Sequence, residues 1–467
     1  VAETPGTAGR PLRVAIVGAG PSAFYAADHL LKQEGIAVEV DMFDRLPTPY
    51  GLVRAGVAPD HQKIKTVTKA FALVAANPRF RFFGLVEIGR DVTLDELRLH
   101  YHQVLFATGA QSDRRMEIPG EDLEGSHPAT EFVAWYNGHP DYRDKSFDLS
   151  QERVAIVGVG NVAIDVARIL CLSREELLAT DMADHAIEAL SRSRVKEVHL
   201  LGRRGPAQAA FTNPEVKELG EMADADVVVR PDEVVLDAIS SAAIEQNNDR
   251  ATAKKMELLQ GYAARQPEGR SKRLYLRFLV SPVEIHDDGH GHVGGLRLVR
   301  NVLEQSATGT ISAKATGEFE ELPVGLVFRS VGYRGKPIPG VPFHERWGVI
   351  LNEKGRVLQA DSHVAAPGLY VTGWIKRGPS GVIGTNKPDS VETVNGMLED
   401  LAAGRVSDPP EPTAEGALAF VLKRQPRCVS FADWCKLDAM ECARGAAQGR
   451  PRVKFTGVEE MLAALGR

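Results

Sequence analysis

Two stretches of this chain, 140 residues apart, spell the same local structure. Val14-Ala15-Ile16-Val17-Gly18-Ala19-Gly20-Pro21-Ser22-Ala23 is an apolar run too short for a helix that breaks at glycines and then opens a helical pattern through Ala26, Ala27, Leu30 and Leu31. Val154-Ala155-Ile156-Val157-Gly158-Val159-Gly160-Asn161-Val162-Ala163 repeats it, followed by Ile164, Ala167, Ile169 and Leu170. Each reads as strand, tight turn, helix. In such a turn Gly18 permits the bend, Gly20 lets the backbone approach a pyrophosphate, and Ala23 lets helix and strand pack closely. The helix that starts at Pro21 and Ser22 then presents the free N–H groups that follow the proline to phosphate. Val38 to Phe43 supplies the next strand, and Asp44 at its end is placed to accept hydrogen bonds from ribose hydroxyls. Two such cradles imply two dinucleotides.

The acidic position has no counterpart after the second cradle. There the strand Glu197 to Leu201 is followed by Gly202-Arg203-Arg204-Gly205. Two guanidiniums suit the extra 2′-phosphate of NADP by charge and bidentate hydrogen bonding. The helix that begins near Phe211-Thr212-Asn213-Pro214 carries Glu215 and Glu218 on its first turns.

Composition narrows the remaining classes. A chain of 467 residues with 43% apolar and 25% charged residues is ordinary for a globular protein of two or three domains. No apolar run approaches the roughly 18 residues of a membrane span, so a cytoplasmic protein without membrane insertion is expected. A net charge of −6 argues against general nucleic-acid affinity. Cys171, Cys428, Cys435 and Cys442 contain no CxxC pair, which argues against a dithiol disulfide reductase. The last three recur every seven residues, as on one helix face, and are read as buried packing cysteines. No metal site is expected; the His286 to His292 segment, rich in His, Asp and Gly, is read as a flexible hairpin tip.

In chain order, Leu46 to Arg54 is turn-rich and resembles a cofactor-covering loop. His61 precedes a helical pattern (Ile64, Val67, Ala70, Phe71, Val74), near whose N-terminus a positive charge is disfavoured. Leu105 to Ala110 is a strand ending in Thr-Gly that marks an exit from the first domain. Arg250 to Arg277 holds eight basic residues against two acidic ones, which reads as either a docking surface for an acidic protein or a solvated helix face. Leu274 to Val280, Val283 to Ile285 and Leu296 to Val299 suggest a small antiparallel sheet. Gly368 to Trp374 returns the chain to the first domain, the glycine-rich run Ile375 to Asp389 permits backbone approach to a ring system, and a helix follows over Ser390 to Leu401. Ser407 to Pro412 is a linker by composition, and the tail beyond it is too small to own a large core.

These pieces together resemble the adrenodoxin reductase family, the two-Rossmann NADPH-ferredoxin reductases, and are nearest to its bacterial members. The resemblance covers roughly residues 11 to 402. It is carried by Val-Gly-Ala-Gly-Pro-Ser-Ala-Phe-Tyr (17 to 25), Tyr-Gly-Leu-Val-Arg-Ala-Gly-Val-Ala-Pro-Asp-His (50 to 61), Gly-Arg-Arg-Gly-Pro (202 to 206) and Gly-Trp-Ile-Lys-Arg-Gly-Pro-Ser-Gly-Val-Ile-Gly-Thr-Asn-Lys (373 to 387). It implies an α/β fold of two Rossmann-like domains. The FAD domain is discontinuous (1–110 and 333–405), the NADP domain (111–332) is inserted, and a linker with a C-terminal extension (406–467) docks on the FAD domain.

The resemblance also implies site residues. FAD would meet Ala19, Asp44, Leu52, Val86, Trp374 and the Gly381-Val382-Ile383 backbone. Family members often carry Glu at the position of Asp44. NADP would meet Asn161, Val162, Arg203, Arg204 and Glu215, with Ala163 closing the turn and Gly381 shared between the cofactors. His61 and Glu218 match positions beside the flavin and nicotinamide. The implied reaction is hydride transfer from NADPH to FAD, then two one-electron transfers to a ferredoxin-type iron-sulfur protein, with the stretch around Arg250, Lys254 and Lys255 as its docking region. An NADPH-dependent quinone or dye reductase, and a redox sensor that merely holds FAD and NADP, remain the alternatives.

Overall fold

Residues 4–467 are described by a computed structural model. Both apolar runs form buried strands, Leu12–Val17 and Arg153–Val157, and each feeds an eleven-residue helix, Pro21–Leu31 and Asn161–Cys171. The chain divides into two units. One joins the chain up to Ser112 with Gly332–Arg467, and the other is Asp113–Val331.

In the first unit, five parallel strands lie in the order Ala365–Val371, Gln103–Phe106, Leu12–Val17, Val38–Asp44, Phe80–Gly84. Two short antiparallel strands, Arg356–Leu358 and Asn352–Glu353, extend the edge beside Ala365–Val371. The central strand is buried along its whole length, as a strand covered on both faces requires. The C-terminal segment has no core of its own. Trp434, Leu437, Phe455 and Met461 join the same apolar cluster as Phe24, Tyr50 and Phe71, and Gly84 exchanges backbone hydrogen bonds with Val429 at 2.8 and 2.9 Å.

In the second unit six strands are parallel throughout: Ser126–Pro128, Leu326–Arg329, Arg153–Val157, Glu197–Leu201, Lys272–Arg277, Ala225–Val229. A separate antiparallel sheet is built from Val280–Asp287, Val293–Gln305 and Ile311–Leu322. The strand around Leu274 therefore belongs not to the antiparallel sheet but to the parallel one, with Leu274 and Leu276 buried. Its flanking Lys272, Arg273 and Arg277 make it look half-solvated in sequence, because their long-range partners are not visible there.

Three other expectations change. The helix after His61 is two helices, Gln62–Lys65 and Val67–Ala75. The helix expected from Ser390 begins at Asn386, with Pro388 in its first turn, where a missing N–H costs nothing. Cys428 precedes the helix Phe431–Ala446 that carries Cys435 and Cys442, and Cys435 is exposed. No helix among the described residues is long and apolar enough to cross a membrane.

Candidate functional site

The two glycine turns are built to one plan. The Gly18 N–H donates to Phe43 O at 2.7 Å and the Gly158 N–H donates to Leu201 O at 2.9 Å, so each turn is tied to the end of the next strand. Both glycines have positive φ, +103° and +131°. A side chain on Gly18 would stand 2.5 Å from the Ala107 carbonyl oxygen, and one on Gly158 would collide with that of Ser330. Gly20 and Gly160 are the opposite case, with open space where a Cβ would point. Each caps its helix without any side-chain hydrogen bond. The first-turn donors are thus free for an anion, and the backbone leaves room for it to approach. Ala23 and Ala163 are wholly buried, as close helix–strand packing requires.

Around the first turn, Asp44 ends its strand half-buried. Its carboxylate accepts the Ala19 N–H at 3.0 Å and the Leu46 N–H at 2.9 Å. Burial pushes this carboxyl up to about 6 despite those hydrogen bonds and nearby Arg45. Its backbone oxygen accepts the Val86 N–H at 2.9 Å, which fixes buried Val86 beside it. The loop that follows folds back on the cradle: the Tyr50 N–H donates to Ala19 O at 2.8 Å, and a Cβ on Gly51 would lie 3.0 Å from the Gly20 Cα. Leu52 begins the short helix Leu52–Ala55.

The residues flanking the glycine-rich run, Gly373 and Ser390, reach the same turn. The Ser390 hydroxyl donates to Ser22 O at 2.9 Å. A Cβ on Gly373 would meet the Ser22 hydroxyl oxygen at 2.5 Å, and the Gly373 N–H donates to Asp389 at 2.6 Å. Lys376 pairs with Asp389 at 3.0 Å, and the Trp374 indole N–H donates to Ser380 O at 3.1 Å. Gly381 sits at φ +80°, Val382 is exposed, and Ile383 opens a short 3₁₀ turn.

In the second unit, the Asn161 side-chain oxygen accepts the Thr212 N–H, and Val162 lies beside it on the first turn of the helix. The three carbonyls of Gly202, Arg203 and Arg204 are engaged by the Val280 N–H, the Asn301 side-chain amide and the Leu279 N–H. Their two guanidiniums have no carboxylate partner among the described residues. Partial burial, then the neighbouring Arg203 charge, moves the Arg204 pKa down. A cation held in this way is stabilised by an arriving anion.

Glu215 is buried and Glu218 half-buried on the helix Asn213–Leu219, where Arg168 lies 3.5 Å from Glu218 and 2.7 Å from Asp165. His61 is the half-buried N-cap of the one-turn helix Gln62–Lys65. A single turn carries little of the dipole expected there.

The basic stretch is not one surface. Lys255 is buried and donates to Ala209 O at 2.5 Å, and Lys272 donates to Leu170 O and Leu172 O at the end of the helix Asn161–Cys171. Arg277 is buried between Glu233 at 2.9 Å and Glu320 at 2.8 Å. Arg250, Lys254, Arg265 and Arg273 remain exposed. In the hairpin after Val280–Asp287, Asp287 accepts the Gly289 and Gly291 N–H groups and Asp288 that of His290, so these carboxylates hold the turn.

The pyridine nucleotide-disulphide oxidoreductase family model matches residues 12–261. The chain is 47% identical over 464 residues to "NADPH-ferredoxin reductase FprA" of Mycobacterium tuberculosis, covering 97% of this chain and 99% of that protein. It belongs to the adrenodoxin reductase family. This membership extends to the tail, which lacked a motif of its own. "NADPH:adrenodoxin oxidoreductase, mitochondrial" of Arabidopsis thaliana is 42% identical over 97% of this chain and 95% of its own length. Among solved structures, "Mycobacterium tuberculosis FprA in complex with NADPH" superposes with a TM-score of 0.92 at 46% identity, covering 98% of this chain and all of that one. Docking of the tail is expected from the sequence, but the contacts of its Trp434 and Glu441 with Tyr50 and Arg54 are what motif reasoning missed. These partners lie almost 400 residues apart, and no local pattern signals them.

Proposed function

We infer that this protein is a flavoprotein oxidoreductase that passes electrons from NADPH through FAD to a ferredoxin-type iron-sulfur protein. The observation that carries it is the doubling: two uncapped glycine-to-helix turns in two units, on a chain whose full length matches NADPH-ferredoxin reductases.

When bound, FAD supplies the exchange of one hydride for two single electrons. The protein's residues bind and orient. Gly18, Ala19, Gly20, Pro21, Ser22 and Ala23 hold the FAD pyrophosphate on the first turn, and Asp44 takes the ribose hydroxyls. Leu52, Val86, Trp374 and the Gly381-Val382-Ile383 backbone bound the ring system. Asn161, Val162 and Ala163 hold the NADP pyrophosphate, Arg203 and Arg204 clasp its 2′-phosphate, and Glu215 lies along the nucleotide. His61 and Glu218 act on the flavin and nicotinamide sides. The unit built around Leu12–Val17 is thus the FAD domain, with residues 406–467 docked on it, and Asp113–Val331 the NADP domain. The carrier docks on the exposed part of the basic stretch, at Arg250, Lys254, Arg265 and Arg273. Four cysteines, all free, suit a reducing cytoplasm.

The test is NADPH-driven cytochrome c reduction by the purified yellow protein, with and without a [2Fe–2S] ferredoxin. A large ferredoxin-dependent rate is expected. A flavin bleached by NADPH that gains nothing from several ferredoxins would indicate a quinone or dye reductase or a redox sensor instead.

A further inference from the structure

Glu441, on the helix Phe431–Ala446 of the C-terminal segment, is a buried carboxylate with both oxygens engaged. It is wholly buried. One oxygen accepts from Arg54 at 2.6 Å and from the Phe455 N–H at 2.9 Å; the other accepts from Arg54 at 2.8 Å and Arg452 at 3.0 Å. The Arg54 contact is a two-pronged fork, the geometry that fixes direction as well as distance. Burial alone would push the Glu441 carboxyl up, and Arg54 and Arg452 outweigh it, holding the group charged. Trp434, from the same helix, covers the other side: the Arg54 guanidinium lies 5.0 Å from its ring centre, and its ring meets Tyr50 edge-on at 6.0 Å.

Arg54 and Tyr50 bracket the segment that rests on the first glycine turn. Tyr50 and Gly51 both have positive φ, +83° and +50°. Tyrosine does not adopt that conformation without support from its surroundings. Tyr50 is tethered to Ala19, and Gly51 is seated on Gly20.

We propose that Glu441 is a positioning residue for FAD: through the Arg54 fork it holds the Tyr50–Leu52 segment in its strained conformation over the cradle, so the C-terminal segment sets how tightly the cofactor is kept. The proposal rests on the assignment of FAD to the first turn.

The test uses the full-length protein and its FAD-stripped form. Glu441→Gln keeps the side chain's volume and removes the charge that engages the fork. The expected result is an FAD Kd raised about tenfold or more, the scale of a lost charge-assisted hydrogen bond, and a smaller rise in Tm on adding FAD. The NADP affinity of the variant stays at the wild-type value. A folded variant with wild-type FAD Kd, or one whose Tm falls equally with and without FAD, overturns the proposal and leaves Glu441 a purely structural buttress. Should Glu441→Gln not fold, Arg54→Lys keeps both charges and loses the fork, and is read by the same two measurements. Wild-type protein that binds no FAD would overturn the cofactor assignment itself; yellow wild-type protein with unaffected variants overturns only the role of Glu441.

Discussion

The backbone N–H of Thr212 donates to the side-chain oxygen of Asn161 at 2.9 Å, so the second glycine turn is tied to the helix that carries Glu215 and Glu218. Thr212 is the N-cap of that helix, and Asn161 is the first residue after Gly160. Asn161→Ala releases this tie. It is expected to raise the KM for NADPH about tenfold, the value of roughly one hydrogen bond, with the flavin spectrum unchanged, as stopped-flow and steady-state kinetics would report.

Gly18 and Gly20 make opposite demands. Gly18→Ala puts a side chain at φ +103° against the Ala107 carbonyl, which costs about 1–3 kcal/mol for the conformation alone, and it lowers the Tm of the FAD-free protein. Gly20→Ala meets open space, so the FAD-free protein melts as wild type while FAD binding weakens. Melting curves and FAD titrations on the two variants separate the effects; an FAD affinity unchanged in Gly20→Ala would contradict a pyrophosphate at that turn.

Replacing both Arg203 and Arg204 with Ala removes two cations that have no carboxylate partner among the described residues. The KM for NADPH is expected to rise on the order of a hundredfold, and that for NADH to change little. Equal effects on the two nucleotides would sink the 2′-phosphate assignment.

The Asp44 carboxyl, raised to about 6 by burial, gives two pH slopes of opposite sign. In the FAD-free protein the folded state holds this proton more tightly than the unfolded chain, so its contribution favours folding below the unfolded pKa and is lost as pH rises from about 4 to 6. The magnitude is at most of order 3 kcal/mol. FAD affinity moves the other way, because the ionised carboxylate is the better acceptor for ribose hydroxyls. Melting temperatures across this range, compared with Asp44→Asn, check the first slope, and FAD titrations at pH 5 and 7 check the second.

The strand–turn–helix units at Val14 and Val154 were legible because everything that specifies them is local: an apolar run, a glycine that must take positive φ, a small residue one turn on. The parallel strand Lys272–Arg277 was not, because its charges are absorbed at a distance, Arg277 by Glu233 and Glu320 and Lys272 by the carbonyls of Leu170 and Leu172. The same long-range pairing scatters what looks in sequence like one basic patch. The split after His61 is not legible in the sequence, because Ile64, Val67, Phe71 and Val74 keep helical spacing across the break at Thr66. Glu441 carries no motif at all, since its importance arises only where Arg54 is brought to it.

The strand Ala365–Val371 pairs with Gln103–Phe106, so the sheet of the first unit is cut in the chain by the whole of Asp113–Val331. On a ribosome, Leu12 to Phe106 emerge early but must wait for more than two hundred further residues before their neighbouring strand exists. The inserted unit is complete first and is available to fold as a unit during synthesis. The half-sheet that waits exposes the edge of Gln103–Phe106, and the chain is most open to mispairing in that interval.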